Sequence, residues 1–198
     1  MTGLLPDIES DSRSVHFLGC VSMQKLVQKR FIIIFLLLLA LSLILFVPFR
    51  TALVFYKENT NNIEAFLPIE EGDSFQIIFT HSIHLTDVVE IYEVLPDHSI
   101  RQNGMIYEHY GIGMPSNAAE EGTLEYEDGK IHIKDMNRVF PFINLRNGKT
   151  VPRHRLVWGD QNQHMVWFID YFEPGARFTI KIDNLSLWQL LKGVKIRD

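Results

Sequence analysis

Residues 31–49 read FIIIFLLLLALSLILFVPF, nineteen consecutive positions without a charge. At 1.5 Å per residue the run makes about 28 Å of helix, enough to cross the hydrocarbon core of a bilayer. A buried core helix is a poor alternative, because such helices keep a polar face and this run has none. The 198 residues therefore divide into a tail (1–30), a transmembrane anchor (31–49), a linker (50–62) and one domain (63–198).

The flanks of the run orient it. Lys25, Lys29 and Arg30 precede it, against Arg50 and Lys57 after it. The positive-inside bias predicts a cytoplasmic tail and an extracytoplasmic domain on a single-pass cell-membrane protein. The bulky residues Leu45 to Arg50 offer no small-residue cleavage site, so the segment reads as an uncleaved signal anchor. From Met23, MQKLVQKR and the apolar run form a complete basic region and core, whereas residues 1–22 are mixed and acidic. Translation is expected to begin at Met23. The single cysteine, Cys20, lies in the tail, so the domain is expected to hold together by its core without an internal disulfide.

Beyond the polar KENTNN the chain becomes a series of short strand patterns. In Ser74–Thr80, Phe75, Ile77 and Phe79 alternate with polar residues, the mark of a half-buried strand. Asp87–Leu95 is apolar on both faces and reads as a central strand. Asp128-Gly129 is a two-residue hairpin signal between Leu124/Tyr126 and Ile131/Ile133. Asn147-Gly148 marks a second hairpin, joining Phe140–Arg146 to Lys149–Trp158, and Met165–Phe172 reads as another doubly apolar strand. Ala176–Ile182 alternates with Phe178, Ile180 and Ile182 inward. Only Leu185–Lys192 looks helical, capped by Asp183 or Asn184 and stopped by Gly193. The fold class is all-β, a small antiparallel sandwich or barrel with one N-terminal transmembrane helix and a short C-terminal helix.

Charge is segregated. Residues 58–128 carry fifteen acidic side chains and only Arg101, while residues 129–198 carry twelve basic and six acidic ones. The two halves are expected to neutralise each other as packed strands, the other reading being an acidic face for a basic partner. The resulting net charge of −8 argues against nucleic acid, which needs a basic footprint.

The densest chemistry lies in Phe79-Thr80-His81-Ser82-Ile83-His84-Leu85-Thr86-Asp87, leading into Glu90. A metal site on His81 and His84 needs a turn, because residues three apart point to opposite faces of a strand. Ser82 lacks the Gly-x-Ser-x-Gly elbow of a hydrolase nucleophile. The reading adopted is structural, with His81 continuing the inward face of Phe75, Ile77 and Phe79 and capping the core. Glu90 is flanked on its face by Val88, Tyr92 and Val94. A carboxylate buried there requires a partner, with His81, Arg138, Arg153 and Arg155 as candidates, whereas at a wet strand end it requires none. Tyr110-Gly111-Ile112-Gly113-Met114-Pro115 is a turn where backbone can approach a ligand, though Pro115 and the lack of a following helix exclude a nucleotide loop. Arg146, Lys149, Arg153, His154 and Arg155 are a hairpin edge or a seat for a small carboxylate. Asn184-Leu185-Ser186 has the form of a glycosylation sequon that helix capping also explains.

Phe79-Thr80-His81-Ser82, then Thr86, Glu90 and Tyr92, then Tyr110 to Pro115, His154-Arg155-Leu156, Pro174-Gly175 and Leu185 to Leu190 follow one another in an order that resembles a bacterial family, domain of unknown function 1850. The resemblance spans roughly Phe75 to Gly193. Asp87 and Val89 depart from it, standing where the family tends to show Pro and a first Glu. It implies an accessory or ligand-sensing companion of TAXI-type tripartite ATP-independent periplasmic transporters, without established catalytic activity.

The expected function is a membrane-anchored, non-enzymatic accessory or binding module beside a transporter membrane subunit. The alternative is an extracytoplasmic hydrolase or metal-dependent enzyme using His81, Ser82, His84 and Glu90. Candidate residues for an unidentified small-molecule ligand are His81, Ser82, Glu90, Tyr92, Gly111, Gly113 and Arg155. No cofactor and no catalytic set is expected.

Overall fold

A computed structural model describes the backbone of residues 12–26 and residues 27–110, 115, 121–150 and 153–198. The chain forms two compact units, which divide between Val47 and Pro48.

The first unit is helix α1 (Ser12–Phe46). Its segment Val27–Phe46 is, among the described residues, the one helix long and apolar enough to cross a membrane.

The second unit is a β-sandwich. Its strands are β1 (Arg50–Lys57), β2 (Ile63–Pro68), β3 (Ser74–Thr80), β4 (Asp87–Val94), β5 (Ile100–Tyr107), β6 (Thr123–Glu127) and β7 (Lys130–Lys134). They continue with β8 (Arg138–Phe140), β9 (Ile143–Arg146), β10 (Arg155–Trp158), β11 (His164–Trp167), β12 (Arg177–Leu185) and, after helix α2 (Leu187–Lys192), β13 (Val194–Lys195). Sheet A has the order β13-β2-β1-β12-β9, and sheet B the order β11-β10-β3-β4-β5-β7-β6 with β8 paired to β5. Neither sheet closes on itself, so the unit is a sandwich rather than a barrel.

Several expected elements form for the anticipated reasons. Phe178, Ile180 and Ile182 of β12 point inward and are buried. The hairpin β6–β7 turns through Asp128 and Gly129 at φ 50° and 77°, the paired left-handed conformations that such tight hairpins require. The doubly apolar β4 is a middle strand of sheet B.

Four expectations are corrected. Residues 50–57 are not linker but strand β1, held between β2 and β12, with Ala52, Leu53, Val54 and Phe55 fully buried. The polar Glu58–Asn62 is the connection, and it is only a turn. Asn147-Gly148 does not make a hairpin: β9 pairs with β12 in sheet A, and β10 pairs with β3 and β11 in sheet B, so the chain crosses between sheets there. Asn147 is buried, donating from Nδ2 to the carbonyl oxygens of Phe172 and Glu173 at 3.4 and 3.2 Å. The apolar stretch Met165–Phe172 leaves strand geometry after Trp167 and coils into a short 3-10 turn at Phe168–Asp170. Helix α2 is capped by Ser186, not by Asp183 or Asn184, in a reciprocal capping box with Gln189. That bond employs the serine of the sequon.

The main core lies between the sheets, where Leu53, Phe55, Phe178 and Ile180 meet Phe75, Ile77, Tyr92 and Leu156. A second cluster, Val88, Met105, Tyr107, Ile131, Ile133 and Met136, draws on sheet B and the residues after it. On the outer side of sheet A, Ala52, Val54, Tyr56 and Phe66 pack with Leu185 and Leu190. Four ion pairs join the acidic first half of the domain to its basic second half: Glu58–Arg177, Asp87–Arg155, Glu121–Arg138 and Glu125–Lys134. Four of the fifteen acidic side chains are thus paired with the basic half within the fold.

The Asn147 crossover yields a prediction. Its side chain satisfies two carbonyls in a buried position, so Asn147→Ala is expected to destabilise the domain by about 1–3 kcal/mol. Urea unfolding followed by tryptophan fluorescence measures it; an unchanged midpoint contradicts the anchoring role.

Candidate functional site

Opposed residues of antiparallel strands share a face, so the register sorts the candidate residues into inner and outer sets. Ile77, Glu90 and Met105 lie across the inner face on β3, β4 and β5. Phe75, Tyr92, Gln102 and Arg138 form the next inner row. A polar line, Glu90, Tyr92, Gln102 and Arg138, therefore crosses an otherwise apolar surface at the seam between the two inner clusters.

The contacts along this line are specific. The Tyr92 hydroxyl donates to Glu90 Oε2 at 2.9 Å, and its ring stacks on Phe75 with centroids 5.3 Å apart. Burial raises the pKa of Glu90, opposed by the hydrogen bond from Tyr92 and the charge of Arg138. Burial and the adjacent carboxylate raise that of the Tyr92 phenol. Arg138 in turn holds Glu121 through two hydrogen bonds, Nε to Oε2 at 2.5 Å and a second from its terminal nitrogen. Gln102 is buried, and its Nε2 has no acceptor among the described residues. The partner expected for a buried Glu90 is thus supplied by Tyr92 directly and by Arg138 through its charge. Gln102 escaped sequence reading; its place on the same face as Ile100 was the available signal.

His81 is buried at the end of β3, but its role differs from capping the core alone. Its Nδ1 accepts from the backbone N–H groups of Ile83 and His84, at 3.3 and 3.4 Å. Its own backbone bonds Thr86 and Leu85 across the loop. The side chain therefore holds a tight turn together. That turn brings His84 onto His81, with ring centroids 5.0 Å apart, and His109 onto His84 at 5.1 Å. Stacked rings present parallel edges, and no group of three or more potential ligands among the described residues is placed to hold a metal ion. Ser82 and His84 are exposed in the loop, whereas Glu90 lies on the inner face of β4.

Arg155 lies on the other face. It is opposed to Ile78 and Trp167 on the outer side of sheet B, donates to Asp87, and lies 5.1 Å from the Trp167 ring centre. Burial acts to raise the pKa of Asp87, but hydrogen bonds from Arg155 and Thr80 outweigh it and hold the carboxyl below its usual range. Glu90 and Arg155 consequently cannot grip one small ligand from the same side. Gly111 and Gly113 lie outside the described residues.

That outer face is itself unusual. Ile78, Val89, Ile91 and Ile106 of the three middle strands lie on it, only partly buried, and Met165 and Trp167 extend it. A hollow of about 350 Å³ opens beside Gly104, lined by Ile91, Ile106 and His132. A solvated sheet face is ordinarily polar; this one sets those apolar residues among the polar Gln76, Asp87, Glu93, Arg101 and Arg155.

These features define a class: an open two-sheet β module preceded by an apolar helix of membrane-spanning length. Residues 75–165 match the family described as Domain of unknown function (DUF1850). No curated protein and no solved structure matches the chain. The matched segment runs from β3 into β11 and so covers sheet B, with β9 as its only strand from sheet A. The closing strand and helix, β12 and α2, lie beyond it.

The raised pKa of Glu90 fixes a sign. Between its ordinary value of 4.5 and its folded value, the folded chain keeps a proton that the unfolded chain has lost. Stability from this group is complete below the ordinary value and declines as pH rises through the folded one. Glu90→Gln keeps an acceptor for Tyr92 and removes the titration. Thermal melts are expected to coincide near about pH 4 and to favour the variant by about 2–5 °C at about pH 7.5. A variant less stable at the higher pH contradicts this assignment.

Proposed function

We propose that the chain is a membrane-anchored accessory module whose domain lies outside the cytoplasm and binds a partner in the same membrane. The family resemblance suggests a TAXI-type transporter membrane subunit as that partner. The role is binding rather than catalysis. One observation carries the reading: the partly exposed apolar face of sheet B, built on Ile78, Val89, Ile91 and Ile106 inside the family-matched segment. Apolar area of this kind on a central sheet is stabilised by a second protein layer. The apolar helix supports the reading by keeping such a module in reach of a membrane partner, and the basic flank before it supports the orientation.

Orientation is tested with the chain's lone cysteine replaced (Cys20→Ser) and a new one introduced at exposed Glu71 (Glu71→Cys). A membrane-impermeant maleimide is expected to label intact cells; labelling only after lysis reverses the orientation. Partnership is tested by co-purifying the tagged full chain with a co-expressed TAXI-type membrane subunit in mild detergent. Ile78→Asp with Ile91→Asp is expected to reduce recovery about tenfold while circular dichroism stays unchanged. Recovery of the chain alone, with solute uptake unaffected by its deletion, overturns the proposal.

A further inference from the structure

The outer side of sheet A, opposite to the partner face, carries a groove that the reading above leaves unused. Three adjoining hollows form it, of about 370, 290 and 440 Å³. Asn61 lines all three, so the turn after β1 is their common wall. One end is bounded by Tyr56 and Phe142, the other by Trp188 of α2.

The lining repeats one arrangement twice. At the first end, the Lys181 ammonium lies 5.8 Å from the ring centres of both Tyr56 and Phe142. At the second, the Lys192 ammonium lies 4.5 Å from the ring centre of Trp188. Among the described residues neither lysine forms an ion pair. The nearby Asp183 accepts instead from the Tyr56 hydroxyl, at 2.9 Å. Phe142 and Trp188 are each 43% exposed, which leaves ring surface for a ligand to cover.

Between the two ends the wall carries five carboxamides, Asn59, Asn61, Asn62, Asn144 and Gln189, beside the hydroxyls of Thr60 and Thr179 and the Asp183 carboxylate. Asn144 Oδ1 accepts from the Thr179 hydroxyl, and Gln189 Oε1 accepts from the Ser186 backbone N–H. Those bonds commit the oxygens and leave both amide nitrogens as donors. Aromatic faces suit the C–H faces of sugar rings, carboxamides suit hydroxyls that both donate and accept, and two separated ammonium groups suit repeated carboxylates. A hydrocarbon would strand the amides, and a neutral sugar would make no use of the two cations.

We propose that this groove binds a carboxylated oligosaccharide, its sugar rings against Phe142 and Trp188 and its carboxylates on Lys181 and Lys192. The site is independent of the partner face on sheet B.

The test uses the full chain in a lipid nanodisc, which avoids sugar-headed detergents, and isothermal titration with tetragalacturonate, tetraglucuronate and neutral cellotetraose. At least one acidic probe is expected to bind saturably, about tenfold more tightly than cellotetraose. Lys181→Met and Lys192→Met are each expected to weaken it about fivefold or more, and Phe142→Ala to weaken it further. Circular dichroism identifies any variant that has lost its fold. No binding of either acidic probe at up to about 10 mM overturns the proposal, as does equal binding of cellotetraose or affinity unaffected by both lysine changes.

Discussion

The domain depends on β1 being buried on both faces. Leu53 and Phe55 enter the core between the sheets, while Ala52, Val54 and Tyr56 lie under α2 and its neighbours on the other side. A strand buried on both faces must have all its backbone groups bonded within the sheet, and β2 and β12 supply those bonds along its length. Sheet A exists because β1 is in its middle; remove it and β2 has no path to β12. Only Val47, Pro48 and Phe49 separate the end of α1 from this strand. The apolar helix and the domain core are therefore nearly continuous in sequence.

That arrangement also explains what the sequence concealed. Only Arg50 and Thr51 interrupt the apolar run before Ala52-Leu53-Val54-Phe55-Tyr56, so the apolar character of β1 merges with that of the preceding helix. Where burial is one-sided, as in β3 and β12, the period of two stands out plainly and the strands were legible. Asn147-Gly148 misleads for a different reason: the dipeptide is a local turn signal, but the partners of β9 and β10 are chosen by long-range packing on opposite sheets. The helix cap was displaced by two residues because Ser186, not an acidic neighbour, has Gln189 three positions ahead of it.

The candidate site was legible in composition but not in facing. Glu90 and Tyr92 share an inner face by parity, and parity alone made Glu90 a candidate for burial. Arg155 could not be sorted in the same way, because its face is fixed by its register with Ile78, a residue seventy-seven positions away. The contribution of His81 depends on a turn whose backbone amides converge on one imidazole nitrogen, and no periodicity encodes that. What the fold presents is a domain with two distinct outer surfaces, one on sheet B with partly exposed apolar residues and one on sheet A lined by amides, with Glu90 on the inner side between them.

The short junction before β1 has a mechanical consequence. Any tension along the chain from the helix enters the sandwich at Arg50, through the middle of a sheet instead of its margin. Because β1 is bonded on both sides to antiparallel neighbours, a pull along its axis loads two ladders of hydrogen bonds in shear, where an edge strand would offer one.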